Sequence, residues 1–179
     1  MQTITLVGYR GTGKSTVGPQ LAARLSWDWV DVDQAIEARA GRSIAEIFQV
    51  FGESEFRRLE SKTLDELLYR SHCVLSAGGG AVLDDSNRAR MREAGLVVWL
   101  TASVDTILER IGDDLTSSGT RPRLTALSPR EEIESTLAHR TPLYDDIASL
   151  VVPTDHRSVA AIVDEIVANL PPMMSEDEM

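Results

Sequence analysis

The residues Gly8-Tyr9-Arg10-Gly11-Thr12-Gly13-Lys14-Ser15 combine three kinds of chemistry in one short stretch. They fit the spacing G-x-x-x-x-G-K-[ST] and follow an apolar run, Ile4-Thr5-Leu6-Val7, directly. Glycines let the backbone curl until successive N–H groups face one point, forming a nest for an anion. A helix starting near Lys14 adds the positive end of its dipole. In such a loop Lys14 reaches the β- and γ-phosphates of a nucleotide, and the Ser15 hydroxyl ligates Mg²⁺. Gly11, Thr12, Gly13, Lys14, Ser15 and Thr16 are therefore the expected ATP contacts.

A second chemical group follows the next apolar run, as Asp31-Val32-Asp33. If the chain stays extended there, the two carboxylates point to one side. Phosphoryl transfer to a hydroxyl needs an acceptor-positioning carboxylate and a metal environment, and each Asp can serve one need. Other users of phosphate loops fit less well. The only asparagines, Asn87 and Asn169, precede Arg88 and Leu170, so the base-reading Asn-Lys-x-Asp of many GTPases is absent. No apolar strand ends in an Asp-Glu pair; the third runs into Ser76-Ala77-Gly78-Gly79-Gly80 instead.

The elements that must position these groups can be read from periodicity. Ile4–Val7, Trp29–Asp31, Cys73–Ser76, Leu96–Leu100 and Leu150–Val152 are expected strands, near-continuously apolar as in a parallel sheet buried on both faces. Helical patterns fall at about 14–25, 33–40, 43–50, 53–70, 84–93, 103–111, 128–148 and 157–170. Alternating strands and helices predict an α/β fold with helices on both sides of a parallel sheet, and ligands at the carboxyl ends of its strands. Pro19 falls inside the first helix, where it withholds an N–H from the Ser15 carbonyl; a local bend that spares the phosphate-facing turn is expected. The polar run Gly112–Thr120 predicts a mobile loop, and the acidic segment 171–179 a disordered tail. Residues 1–170 then form a single domain.

Composition narrows the partners. The chain has 179 residues and a net charge of −10, of which Glu176, Asp177 and Glu178 contribute three, leaving −7 on residues 1–172. An acidic body repels phosphate backbones, so no nucleic acid is expected, and an anionic substrate has to be held by locally clustered arginines. One cysteine, Cys73, permits no internal disulfide, and with three histidines builds no usual zinc site. No secretory leader and no membrane span are legible, so a soluble cytoplasmic protein is expected.

With the phosphate loop, Asp31-x-Asp33 and the glycine triplet in order, the sequence resembles the shikimate kinase family over about residues 2–170. That resemblance implies a three-layer P-loop kinase fold with a five-stranded parallel sheet, a mobile lid at about 112–124 and a monomeric enzyme. It implies transfer of the γ-phosphate of ATP, with Mg²⁺, to the 3-hydroxyl of shikimate in aromatic amino acid biosynthesis. It assigns Asp33 to the shikimate hydroxyls and to the base, and Asp31 to Mg²⁺ through water. Arg57, in Phe51-Gly52-Glu53-Ser54-Glu55-Phe56-Arg57-Arg58-Leu59-Glu60, would pair with the shikimate carboxylate, with Glu60 three residues on holding its guanidinium. Gly78, Gly79 and Gly80 would contact the substrate through their backbone, and Arg140, in Arg-Thr-Pro-Leu-Tyr144, would be a second carboxylate contact. Arg110 would lie against the adenine. The lid motif falls on Arg121-Pro122-Arg123-Leu124, where Arg121 would reach the transferring phosphate as a catalytic residue beside Lys14 and Asp33. Arg123 replaces the family's usual leucine and leaves open which of the two arginines does so.

Taken singly, these residues have plainer readings. Arg57 and Arg58 could be solvated, Arg110 and Arg140 could be helix-end charges, and Phe48 and Phe56 could be pocket or core. A related kinase for another small hydroxylated acid, such as gluconate, and a non-catalytic nucleotide-binding regulator are the alternative functions.

Overall fold

The computed structural model describes residues 3–115 and 128–171. The apolar runs form strands: β1 Thr3–Val7, β2 Asp28–Asp31, β3 Cys73–Ser76, β4 Gly95–Thr101 and β5 Leu150–Pro153. All pair in parallel in the order β2-β3-β1-β4-β5. The helices are α1 Lys14–Leu25, α2 Val32–Ala40, α3 Ile44–Leu68, α4 Asp85–Ala94, α5 Val104–Leu115, α6 Pro129–Ile147 and α7 Val159–Ala168. A 3-10 turn, Ala81–Leu83, not legible in the sequence, links the glycine triplet to α4.

The sheet is buried on both faces, as the apolar runs require. On one face Ile4, Leu6, Val74 and Val98 share a core with Val17 and Leu21 of α1 and Ile162 and Ile166 of α7. On the other, Leu75 and Val97 share a core with Ile36 of α2, Phe56 and Leu64 of α3, Met91 of α4 and Tyr144 of α6. Tyr9, Ile107 and Ile133 form a third cluster, which ties the phosphate loop to α5 and α6. These layers put every loop after β1, β2 and β3 at one end of the sheet.

Local chemistry sets the helix ends. Ser43 and Ser128 make capping boxes with Glu46 and Glu131 at the starts of α3 and α6. Asp84 accepts from the Ser86 and Asn87 N–H groups at 2.8 and 3.2 Å and starts α4. The two helices read at 43–50 and 53–70 are one element with a break: Gly52, at φ 81° and ψ 176°, adopts a backbone that is essentially restricted to glycine. The helix through Pro19 is unbroken. Two expectations are corrected. The chain is not extended through Asp33; β2 ends at Asp31, which caps α2 by accepting from the Gln34 N–H at 3.2 Å, and Asp33 sits on that helix's first turn. A side-chain cap was available, and it stopped the strand. The loop expected from Gly112 is corrected at its start, since residues 112–115 continue α5; the rest of the lid at about 112–124, with Arg121 and Arg123, lies outside the described residues, as does nearly all of the 171–179 tail.

α1 is seated on the sheet through Gly18. A Cβ there would overlap the Trp29 indole and come within 2.9 Å of Ser76 Oγ. That hydroxyl accepts from Trp29 Nε1 at 3.1 Å and donates to the Lys14 carbonyl at 3.2 Å. Gly18→Ala is therefore expected to cost about 1–3 kcal/mol of stability through overpacking, read as a lower urea midpoint at unchanged m-value; a midpoint equal to that of the native chain would contradict this seating.

Candidate active site

The phosphate loop leaves β1 through Gly8, whose φ of 140° and contact with the Leu100 carbonyl exclude a side chain. Gly11 and Gly13 also take positive φ, 78° and 97°, as a curled nest of N–H groups needs. Thr12 is buried and braces the curl, its Oγ1 donating to the Tyr9 carbonyl at 2.8 Å. Lys14 Nζ donates to the Gly8 and Tyr9 carbonyls at 2.8 and 2.9 Å, which holds the ammonium across the loop. Gly11, Thr12, Gly13, Lys14, Ser15 and Thr16 line a cavity of about 840 Å³. Asp31, Asp33, Gly78, Gly79 and Arg110 are on its wall as well.

Arg110 is not a helix-end charge. It lies inside α5 and is partly buried, with Nη1 donating to the Gly11 carbonyl and Thr154 Oγ1, both at 3.0 Å, and Nη2 to the Thr154 carbonyl at 2.9 Å. Its guanidinium thus joins the phosphate loop to the end of β5. Ser15 Oγ donates to Asp31 Oδ2 at 3.2 Å. A hydroxyl and a carboxylate side by side at the phosphate loop are hard oxygen donors of the kind Mg²⁺ prefers, so the residues fit that ion.

Asp33 packs against the glycine triplet. A Cβ on Gly78 would lie 2.8 Å from both Asp33 Oδ1 and Glu60 Oε1, so glycine is what lets the two carboxylates approach this backbone. Glu60 is buried and accepts from Arg57 Nη1 at 2.6 Å, while Glu53 holds the other side of the same guanidinium at 3.3 Å. Arg58, by contrast, pairs with Glu55 on the exposed face of α3 and takes no part in the site. Arg57, Arg140, Phe48, Glu53 and Gly79 line a second pocket of about 170 Å³. Phe48 is pocket wall, whereas Phe56 behind it is core, 1% exposed.

Arg140 also sits within its helix, not at the end, and Nη1 donates to the Gly79 carbonyl at 2.8 Å. The same carbonyl accepts from the Tyr144 hydroxyl at 2.6 Å. Burial pushes that phenol up to about 12, so it remains a donor throughout the neutral range. Tyr144 is fully buried and stacks on Trp99 with ring centroids 5.6 Å apart. Arg140 and Tyr144, one turn apart on α6, thus fix the glycine triplet from across the fold. The sequence reading quoted Tyr144 without giving it a task; its signal was the four-residue spacing from Arg140. Ser76 and Thr154, which anchor Lys14 and Arg110, carried no signal of their own.

The sequence-predicted residues that are described therefore lie at or beside two adjoining cavities, one beside a phosphate nest and one bearing two arginines, while Arg121 lies outside the described residues. A family model described as shikimate kinase matches residues 10–171. The chain belongs to the shikimate kinase family. It is 39% identical to the shikimate kinase of Rhodopirellula baltica, over 99% of this chain and 95% of that protein. It is 45% identical to that of Thioalkalivibrio sulfidiphilus, over 91% and 84%. Among solved structures, the shikimate kinase from Acinetobacter baumannii in complex with shikimate superposes with a TM-score of 0.86 at 35% identity, covering 93% of this chain and 91% of that one. A gluconokinase from Sinorhizobium meliloti, at TM-score 0.57 and 19% identity, shares the fold alone.

In this shikimate kinase family member, Gly80 controls where Arg57 can sit. A Cβ there would fall 2.5 Å from Arg57 Nη1 and 2.6 Å from Nη2. Because the guanidinium can swing away only by loosening its pair with buried Glu60, Gly80→Ala is expected to displace the arginine and to lower stability by about 1–3 kcal/mol. The KM for the acceptor should then rise about 10-fold, near the low end of what losing one charged contact costs, with the KM for ATP unchanged. An unchanged acceptor KM would contradict the assignment of Arg57 to the acceptor.

Proposed function

We propose that this chain transfers the γ-phosphoryl group of ATP to the 3-hydroxyl of shikimate, giving shikimate 3-phosphate and ADP. The observation that carries this reading is the meeting of the two cavities at Gly79, a phosphate nest on one side and an arginine-lined pocket on the other. The shikimate kinase relatives, and the solved relative in complex with shikimate, favour this acceptor over gluconate. The arginine pocket beside the nucleotide cavity argues for catalysis over a nucleotide-sensing role, which would need no acceptor clamp.

In this mechanism the nest, Lys14 and Arg110 hold ATP, and Ser15 with Asp31 through water would hold Mg²⁺, which neutralises phosphate charge. Arg57 and Arg140 hold the shikimate carboxylate, because a guanidinium fork matches it in two contacts. Glu60 keeps Arg57 in place, and Gly78, Gly79 and Gly80 form the floor under the ring. Asp33 accepts the proton of the 3-hydroxyl as its oxygen bonds to the γ-phosphorus. The bond from that phosphorus to the bridging oxygen breaks, leaving ADP. Arg121 retains the role of closing over the transferring phosphate, by resemblance only. A cytoplasmic setting is part of this reading; among the described residues no helix is long and apolar enough to cross a membrane.

Two measurements check this. In a coupled ADP-release assay with ATP and Mg²⁺, shikimate is expected to be turned over far faster than gluconate; the reverse order would sink the acceptor assignment. Asp33→Asn should lower kcat about 10²–10⁴-fold, the usual worth of a positioned base, with ATP affinity retained. Near-normal kcat in that variant would show that another group takes the proton.

A further inference from the structure

Among the described residues, Arg10 and Gly79 are the two that line both cavities, and of these Arg10 alone has a side chain. Arg10 is on the phosphate loop, and its sequence position is one of the unspecified places in the loop motif. Its ion pair is with Glu132 on the first turn of α6, with Nη2 3.7 Å from the carboxylate. That is well beyond the ~2.7–2.9 Å of a charge-assisted hydrogen bond, and a part-exposed pair at this separation holds little.

The other arginines around the site are tied more tightly. Arg57 is held by Glu60 at 2.6 Å, Arg140 by the Gly79 carbonyl at 2.8 Å and Arg110 by Thr154 at 2.9 Å. Of these four arginines Arg10 has the loosest restraint, its other side-chain contact being the Tyr9 ring at 5.9 Å, and it is placed where a phosphoryl group must cross from the nucleotide cavity into the acceptor pocket. Glu132, which also lines the acceptor pocket, is an anion that a phosphorylated product would have to face.

The geometry points to Arg10 as a contact for the phosphoryl group in transit and for the phosphate of the product, with Glu132 as the counter-ion that competes for it. This rests on the reading of the two cavities as donor and acceptor sites. An arginine in this place stabilises charge on the transferring oxygens, and a competing carboxylate weakens the hold on the product afterwards.

The test uses the full chain with Arg10→Met, Arg10→Lys and Glu132→Gln, with ADP binding as the check that the loop is intact. Arg10→Met should reduce kcat about 10²–10³-fold, the range for losing one donor to developing charge, with the KM for shikimate and for ATP within about two-fold. Calorimetry with shikimate 3-phosphate should show a dissociation constant raised about 10-fold in Arg10→Met, partly recovered in Arg10→Lys, and lowered in Glu132→Gln. If Arg10 and Glu132 only tie the loop to α6, Arg10→Met and Glu132→Gln will lower the melting temperature alike and leave product affinity and kcat unchanged, which overturns the proposal. Loss of ADP binding in Arg10→Met together with unchanged product affinity in Arg10→Lys and Glu132→Gln also overturns it. A native chain that neither turns over shikimate nor binds its 3-phosphate would instead contradict the acceptor reading, so the two failures are distinguishable.

Discussion

Two anions have to be brought into contact by a chain of net charge −10, and this electrostatic constraint organises the site. Bulk charge cannot attract either substrate, so attraction has to be local and pointed. The fold supplies it from two sources. One is backbone N–H groups, gathered by positive φ at Gly11 and Gly13 and reinforced by the start of α1. The other is a small set of arginines brought to the carboxyl end of the sheet from α3, α5 and α6. Neither source requires a basic surface.

Those arginines are useful because each is committed to a partner that fixes its position. Glu60 is buried at Arg57, Gly79 offers its carbonyl to Arg140, and Thr154 offers two oxygens to Arg110. A long side chain ordered in advance gives up less freedom when an anion arrives. The glycine triplet is the point these contacts share. Gly78 admits Asp33 and Glu60, Gly80 admits Arg57, and Gly79 is bonded by both Arg140 and Tyr144. A side chain at Gly78 or Gly80 would drive apart the groups packed against it.

What was legible in the sequence was what depends on neighbours in the chain. The phosphate loop, the strands, and the Arg57–Glu60 pair are set by local spacing, and all stand where the spacing puts them. The gap between the helical patterns at 43–50 and 53–70 coincides with the break that the structure places at Gly52. The strand ends at Asp31 as read, but the extended path from Asp31 to Asp33 was not met, because the Asp31 side chain caps a helix that begins at Val32. The reading left Arg110 and Arg140 ambiguous, because their partners lie 99 and 61 residues away, and Tyr144 without a task, because its partner is 65 away. Arg10 went unnoticed since the loop motif leaves its position unspecified. Only the stacking of α5 and α6 over the sheet reveals these contacts, and single-chain periodicity carries no record of it. The lid motif at Arg121 to Leu124 had a sequence signal of its own and lies outside the described residues.

The central claim is that the nest beside β1 and the arginine pocket beside α6 present one hydroxyl of shikimate to the γ-phosphorus. Phosphorus–proton correlation spectroscopy of the product formed from ATP, Mg²⁺ and shikimate tests it directly. The account predicts one phosphate ester, with phosphorus coupled to the ring proton at the 3-position. An ester at another hydroxyl, a mixture of esters, or ADP released with inorganic phosphate and no ester would contradict it.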